Sequence, residues 1–445
     1  MKYAVFAIAM MGVPPLAFIL SLNRSWVKYA IWAMIAALAA YQATAINFFS
    51  NEWYRGTSRG MEVSVIYLFA AAMLMTAAIK HRLPKFVPSA GAALFVAYFL
   101  LCLPSWTSAE NTLFSWMELW KMIMLYMTYL SVRAYLDLTD DVKALVKGLA
   151  VFVVFNFLLI VKDHFSGIYQ PHGVFPHQNG LAMGMHLFAN LFFAYFLARG
   201  WRGPILNTLA FVAASACIVR TYSRGALAMM PISFAVTFAL MFFVGLDIPK
   251  RRVFRRILPI AVVGFHGLAA MLPRIIERFE SAPEASKNTR VELALCAREM
   301  IADEPWRGVG INNWGIKINP PYEYAERAGR VTNRGEEFQD GIVETVYLLV
   351  GAECGIPALV AMLIWFAYYL LVSCRLVKKL KGTPYAAIPA GLAGGFVACY
   401  LQSCLEWVLR QQMNLILLMF FFALLDHLNQ NAARIAAKAR GDGHA

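Results

Sequence analysis

Long apolar stretches follow one another along this chain, separated by short polar loops, and one hydrophilic, Arg-rich segment between Pro273 and Val343 interrupts them. A hydrocarbon core about 30 Å thick needs roughly 20 apolar residues per helix. Stretches of about that length lie near 3–22, 27–48, 62–79, 89–104, 114–132, 143–161, 179–198, 204–219, 225–246, 257–273, 343–373, 385–405 and 412–428. The pattern predicts an all-α polytopic membrane protein with about 12–13 transmembrane helices and one large extracytoplasmic segment.

Composition agrees. Hydrophobic residues make up 60% of the 445 positions and charged ones 15%, which would leave a soluble globule with more apolar surface than it could hide. The net charge of +14 raises nucleic acid as a partner, but the distribution of the charge argues against it. Lys80, Arg82 and Lys85, then Arg133, Lys143 and Lys147, Arg199 and Arg202, residues 250–256, residues 375–381 and the tail carry the basic residues, so every second loop is positive. That is the positive-inside pattern, and it places those loops beside anionic lipid in the cytoplasm. Residues 1–445 read as a single integral domain, with 274–342 outside and 429–445 as a cytoplasmic tail. The first span is followed by no small-residue cleavage site and reads as a retained helix. The seven Cys show no metal-site or disulfide spacing and read as small apolar fillers.

Several polar groups stand where a membrane protein would not place them idly. At the end of the eighth stretch, Arg220-Thr221-Tyr222-Ser223-Arg224-Gly225 holds two guanidiniums, which are forks suited to a diphosphate or, more simply, snorkelling groups. His177 and Asn179 precede the seventh stretch, where helix capping is the plainer role of Asn179. His164, His172, His177 and His186 lack metal-ligand spacing. The outer segment adds Arg290 and Arg298, then Trp306 and Trp314 around Gly308-Val309-Gly310. The two Trp suit either sugar stacking or interfacial anchoring, and a lone Gly-x-Gly is weak evidence of phosphate binding. Glu344 opens the eleventh stretch, where a carboxylate is costly unless paired or hydrated. Glu118 with Lys121, and Glu406 with Arg410, read as local ion pairs at helical spacing.

In this order the pieces resemble the O-antigen ligase and polymerase superfamily, over roughly residues 170 to 360. The resemblance rests on Gly-x-x-x-His-x-Asn-x-Leu-Ala at 173–182, Ser-Arg-Gly-Ala at 223–226, the Arg290 helix leading into Pro305 and Gly308-Val309-Gly310, and the large outer segment. It implies a bacterial inner-membrane glycosyltransferase whose site faces the periplasm. The donor would be a polyprenyl-diphosphate-linked glycan and the acceptor a glycan or the lipid A core. Arg224, Arg290 and Glu344 would be catalytic, with Arg220, His177, Asn179, Arg298, Trp306 and Trp314 binding substrate. The family's ligases place His, then Asn, Ser or Gln, then nine residues, then Gly. Here Glu344, Thr345 and Gly355 occupy that frame with Glu in place of His, which favours a polymerase of O-antigen or exopolysaccharide over a ligase. The chain shows neither a carboxylate cluster for a divalent ion nor a nucleotide-binding domain, so no metal or cofactor is expected. A lipid or solute transporter is the alternative of another class; transporters gather such residues near the midplane of repeated halves, whereas here they gather at one edge.

The basic-loop pattern has a direct test. Cysteine labelling or reporter fusions should place residues near 300 outside and residues near 253 and 440 inside; a cytoplasmic reporter near 300 would overturn the orientation.

Overall fold

The computed structural model describes residues 2–280, 284–329 and 341–441. Among these, eight helices are long and apolar enough to cross a membrane: Tyr3–Leu22, Ala90–Ser108, Val142–Phe165, Gln178–Arg199, Arg224–Gly245, Val346–Lys379, Pro384–Gln402 and Gln412–Ala439. Val65–Ile79 and Ile205–Arg220 are apolar but shorter. The fold is all-α apart from one small hairpin, and that hairpin corrects the expected span 27–48. The helix Arg24–Ala39 stops early, and Ile46–Phe48 instead pairs antiparallel with Met61–Val63. The expected span 114–132 lies in the helix Thr112–Thr139, which has the length but buries Glu118 and Lys121 within it. The expected span 257–273 lies inside the helix Lys250–Glu280, and its side chains at 260, 263, 265–268 and 270 are outside the described residues. The expected tail is helical as well, because the last helix runs to Gly441.

Contacts divide the chain into two compact units interleaved in sequence. The first comprises Met1–Asp141, Pro283–Tyr368 and Ser403–Ala423. Its helices begin on polar caps: Asn111 Oδ1 accepts from the N–H groups of Leu113 and Phe114, and Ser89 Oγ accepts from the Ala92 N–H. Leu293, Cys296, Ala297 and Met300 line one face of the helix Glu284–Asp303 and pack with Val309, Trp314, Ile318, Val343 and Leu349. The hydrophilic segment thus shares an apolar core with the helix Val346–Lys379. Arg327 fixes the short helix Tyr324–Arg327 to this one through Glu299 at 2.6 Å and Asp303 at 2.5 Å, and that hydrogen bonding holds the Asp303 carboxyl below the usual range.

A buried charge network joins three elements of this unit. Arg410, in the turn Val408–Arg410, donates from Nη2 to Glu118 Oε1 and from Nη1 to Glu353 Oε2, each at 2.8 Å. Lys121 Nζ stands 2.6 Å from Glu118 and donates to the Arg410 carbonyl at 3.1 Å. Thr57 and Ser58 hydroxyls complete the Glu118 carboxylate. The expected Glu118–Lys121 pair is present. The local Glu406–Arg410 pair is not, because residues 403–410 leave the α-helix and Arg410 turns to Glu118 and Glu353 instead.

The second unit comprises Val142–Ala282, Tyr369–Gln402 and Leu424–Ala445. Here Gln178–Arg199 packs directly against Ala387–Gln402, and a Cβ at Gly391 would come within 2.4 Å of the Leu191 Cα. Asn190 ties the helix Arg224–Ala239 into the same layer, donating to Ser233 Oγ at 3.0 Å and accepting from Thr237 Oγ1 at 2.7 Å. A fully satisfied buried network of this kind fixes one packing.

Removing one partner of a buried pair strands the others. Arg410→Ala should therefore destabilise the protein by about 3–5 kcal/mol, read as a large fall in melting temperature in detergent. Replacing all four charged members together, Glu118 and Glu353 by Gln and Lys121 and Arg410 by Met, should restore a large part of that loss. A melting temperature unchanged by Arg410→Ala would refute a structural role for the network.

Candidate active site

The polar loop that follows Asp303 is shaped by a break in the helix Val346–Lys379. Gly355 lies inside that helix at φ +81°, outside the helical region, so the carbonyls just before it and the N–H just after it lose their helical partners. The loop supplies them. Val309 N–H donates to the Ala352 carbonyl at 2.9 Å, Gly310 N–H to the Glu353 carbonyl at 3.1 Å, and Ile356 N–H to the Pro305 carbonyl at 2.8 Å. Peptide groups this close leave no room for side chains: a Cβ at Gly355 would meet the Trp306 carbonyl carbon at 2.6 Å, and one at Gly308, at φ +72°, the Glu353 carbonyl at 2.4 Å. Gly308-Val309-Gly310 therefore works here as a backbone dock for a broken helix. The fixed distance between Glu344 and Gly355 acquires a reason too, since about two and a half turns of helix separate the start at Val346 from the break.

Two adjacent Asn hold the other end of the loop. Asn312, at φ +55°, accepts on Oδ1 from the N–H groups of Thr57 at 2.9 Å and Ser58 at 3.2 Å, and donates from Nδ2 to the carbonyls of Ser58 and Phe114, each at 2.9 Å. Asn313 Oδ1 accepts from the Asn111 N–H at 2.8 Å. Sequence reading passed over both, because an Asn in a Gly-rich loop gives no sign of long-range partners. Trp314 is fully buried in the apolar core and donates from Nε1 to the Gly341 carbonyl at 3.0 Å, so neither ring face is open to a sugar. Trp306 is 75% exposed.

Against this scaffold the structure brings two of the expected residues together. Arg290, in the helix Glu284–Asp303, stands 2.6 Å from Glu344 Oε2 through its Nη2, and the same nitrogen lies 3.9 Å from Glu406 Oε1. Residues next to Glu344 are stitched to the strip 403–406: Thr345 Oγ1 donates to the Cys404 carbonyl at 3.0 Å and Val346 N–H to the Ser403 carbonyl at 3.1 Å. Arg290 and Glu344 are each about a third exposed, and a pair open to water is worth only about 0–1 kcal/mol. Its contribution to stability is therefore small, while its groups can still be reached from solvent. Glu406 is the residue that sequence reading placed elsewhere. Arg298 lies on an exposed face of the same helix.

The remaining expected residues belong to the second unit. Arg220 donates from Nη1 to the Tyr222 hydroxyl at 3.0 Å and lies 2.7 Å from His164 Nδ1 through Nη2. Tyr222, at φ +49°, stacks on Tyr169 with ring centroids 5.3 Å apart. Arg224 is the first residue of the next helix, partly exposed and without an ion-pair partner among the described residues. Ahead of the helix Gln178–Arg199, the cap is His177 and not Asn179: His177 Nδ1 accepts from the Asn179 N–H at 3.2 Å. Partial burial, and next to it the charge of His172, hold the His177 imidazole below its ordinary pKa, which keeps Nδ1 free to accept.

Residues 209–363 match the family model described as O-antigen ligase, a family that implies a glycosyltransferase-type enzyme. The match takes in Arg220, Arg224, Arg290, Glu344 and the dock around Gly355. A comparison with curated proteins finds no match.

The His177 cap has a definite pH signature. A folded-state pKa below the unfolded value of about 6.5 means that stability is full above that pH and is lost as pH falls through the folded pKa. Melting temperature should therefore fall as pH drops below about 6.5, and His177→Asn, which caps without titrating, should flatten part of that slope. Identical slopes in the two proteins would count against the cap.

Proposed function

Because the match over residues 209–363 supports membership of the O-antigen ligase and polymerase superfamily, we propose that this chain is a membrane glycosyltransferase. It moves a glycan from a polyprenyl-diphosphate donor to a glycan acceptor, in the manner of an O-antigen or exopolysaccharide polymerase. The observation that carries the reading is the 2.6 Å pair of Arg290 and Glu344, residues far apart in sequence that share one solvent-facing edge.

In this mechanism the acceptor hydroxyl attacks the anomeric carbon, the bond from that carbon to the phosphate oxygen breaks, and the hydroxyl proton passes to the Glu344 carboxylate. The electron pair of the broken bond stays on the diphosphate, whose charge Arg290 neutralises; the resemblance assigns Arg224, in the second unit, to the diphosphate as well. A guanidinium has five donors, and both carboxylates beside Arg290 approach the same Nη2, which leaves other donors for the diphosphate. Arg220, held by His164 and Tyr222, is an auxiliary group in the same turn as Arg224. His177, Asn179, Arg298 and the exposed Trp306 are secondary contacts for glycan. The polyprenyl tail lies in apolar surroundings, and the site faces the periplasm from the inner membrane. Neither a metal ion nor a nucleotide sugar takes part.

A second reading has its own support. The matching family model is described as O-antigen ligase, which favours the lipid A core as acceptor, whereas Glu344 in the frame position of the family's His favours polymerisation.

Arg224→Ala and Arg290→Ala should each abolish product while the protein still inserts, and Lys at either site should restore little, because an ammonium lacks the planar two-pronged donor set. Glu344→Gln should lower transfer by roughly a hundredfold or more, and Glu344→Asp should keep part of it. The assay is reconstituted transfer from lipid-linked donor, with chain length and lipid A attachment scored separately in a deletion strain. Near-normal transfer by the Gln variant would remove the proton-accepting role, and normal product from both Arg→Ala variants would remove the diphosphate site.

A further inference from the structure

The proposed chemistry uses the beginnings of the helices Gln178–Arg199 and Arg224–Ala239 and leaves their far ends unexplained. The first stops at Arg199, while the second passes into a π-helical turn, Leu240–Gly245, before the extended residue Leu246. Wide turns of this kind recur at functional sites. The Gly245 carbonyl accepts from the Gly382 N–H at 3.1 Å, and next to Gly382 the chain starts the helical stretch Pro384–Gln402. Between these ends lies a cavity of about 140 Å³ lined by, among others, Arg199, Gly245, Asp247, Gly382, Thr383 and Pro384. It has roughly ten times the ~10–15 Å³ that a single water requires.

The cavity carries unused charge of both signs. Among the described residues neither Arg199 nor Asp247 has an ion-pair partner. The carbonyls of Leu197 and Ala198, which could otherwise engage Arg199, are taken by Arg256 Nη1 at 2.6 and 2.8 Å. Helix ends add to this: two C-termini bring partial negative charge, and the start at Thr383–Pro384 brings partial positive charge. The ligand that complements such a lining has a phosphate and a hydrogen-bonding ammonium a few bonds apart. The ends of apolar spans sit where phospholipid headgroups are. A glycerol headgroup would offer Asp247 hydroxyls but no cation, and a trimethylated ammonium could not donate to it.

We propose that this cavity binds the headgroup of an ethanolamine-type phospholipid, with the phosphate on Arg199 and the ammonium on Asp247. The assignment needs the membrane-spanning fold and does not depend on the transfer reaction. Its test is native mass spectrometry of the delipidated full-length protein offered phosphatidylethanolamine, phosphatidylglycerol or phosphatidylcholine in mixed micelles. The wild type should retain phosphatidylethanolamine about fivefold over the other two, the range a partly exposed charge pair provides. Asp247→Asn preserves shape and removes the carboxylate charge, so it should bring that ratio close to one. Arg199→Ala should reduce retention of all three lipids. A ratio unchanged by Asp247→Asn, or a wild type that favours phosphatidylglycerol, would overturn the proposal.

Discussion

Arg410 is the point on which the first unit turns. One guanidinium reaches the helix Thr112–Thr139 through Glu118 and the first half of the helix Val346–Lys379 through Glu353, and Lys121 closes the ring onto the Arg410 carbonyl. Two cations face two carboxylates, all four residues being buried. A charge taken out of water at this depth is tolerable only with its partners in place, so the relative setting of three elements is narrowly determined. Glu353 then does double duty: its side chain answers Arg410, and its carbonyl accepts from the Gly310 N–H of the polar loop. The position of the half-helix, and with it Glu344 at the helix start, follows from a network that never touches solvent.

The pairing of Arg290 with Glu344 has an electrostatic meaning of its own. Arg290 and Glu344 neutralise each other, and Glu406 leaves the three groups with a net negative charge. Under the proposed function, an incoming diphosphate has to compete with both carboxylates for one guanidinium.

Much of the membrane architecture can be read from the chain, because bilayer thickness imposes a length on every apolar run. The expected 3–22 and 179–198 match Tyr3–Leu22 and Gln178–Arg199 almost residue for residue. The run 27–48 misled because apolar and β-branched residues past Ala39 fit a hairpin strand as well as a helix. Arg290 and Glu344 stand out by type and place, but nothing local pairs two residues so far apart. Glu406 and Arg410 show the reverse failure. Their spacing is helical while their backbone is not, and a rule of helix geometry has no force in a turn.

The dock between the polar loop and the broken helix is made of peptide groups, with Val309, Gly310 and Ile356 as donors. Such a joint presents almost no side chain for sequence drift to act on. Loop residues whose side chains point away can vary in size and polarity while the loop keeps its seat, so the exposed surface and the mechanical joint can change independently. Under the proposed function, swapping the loop's exposed side chains, Trp306 among them, becomes a route to altered glycan preference that leaves the fold intact.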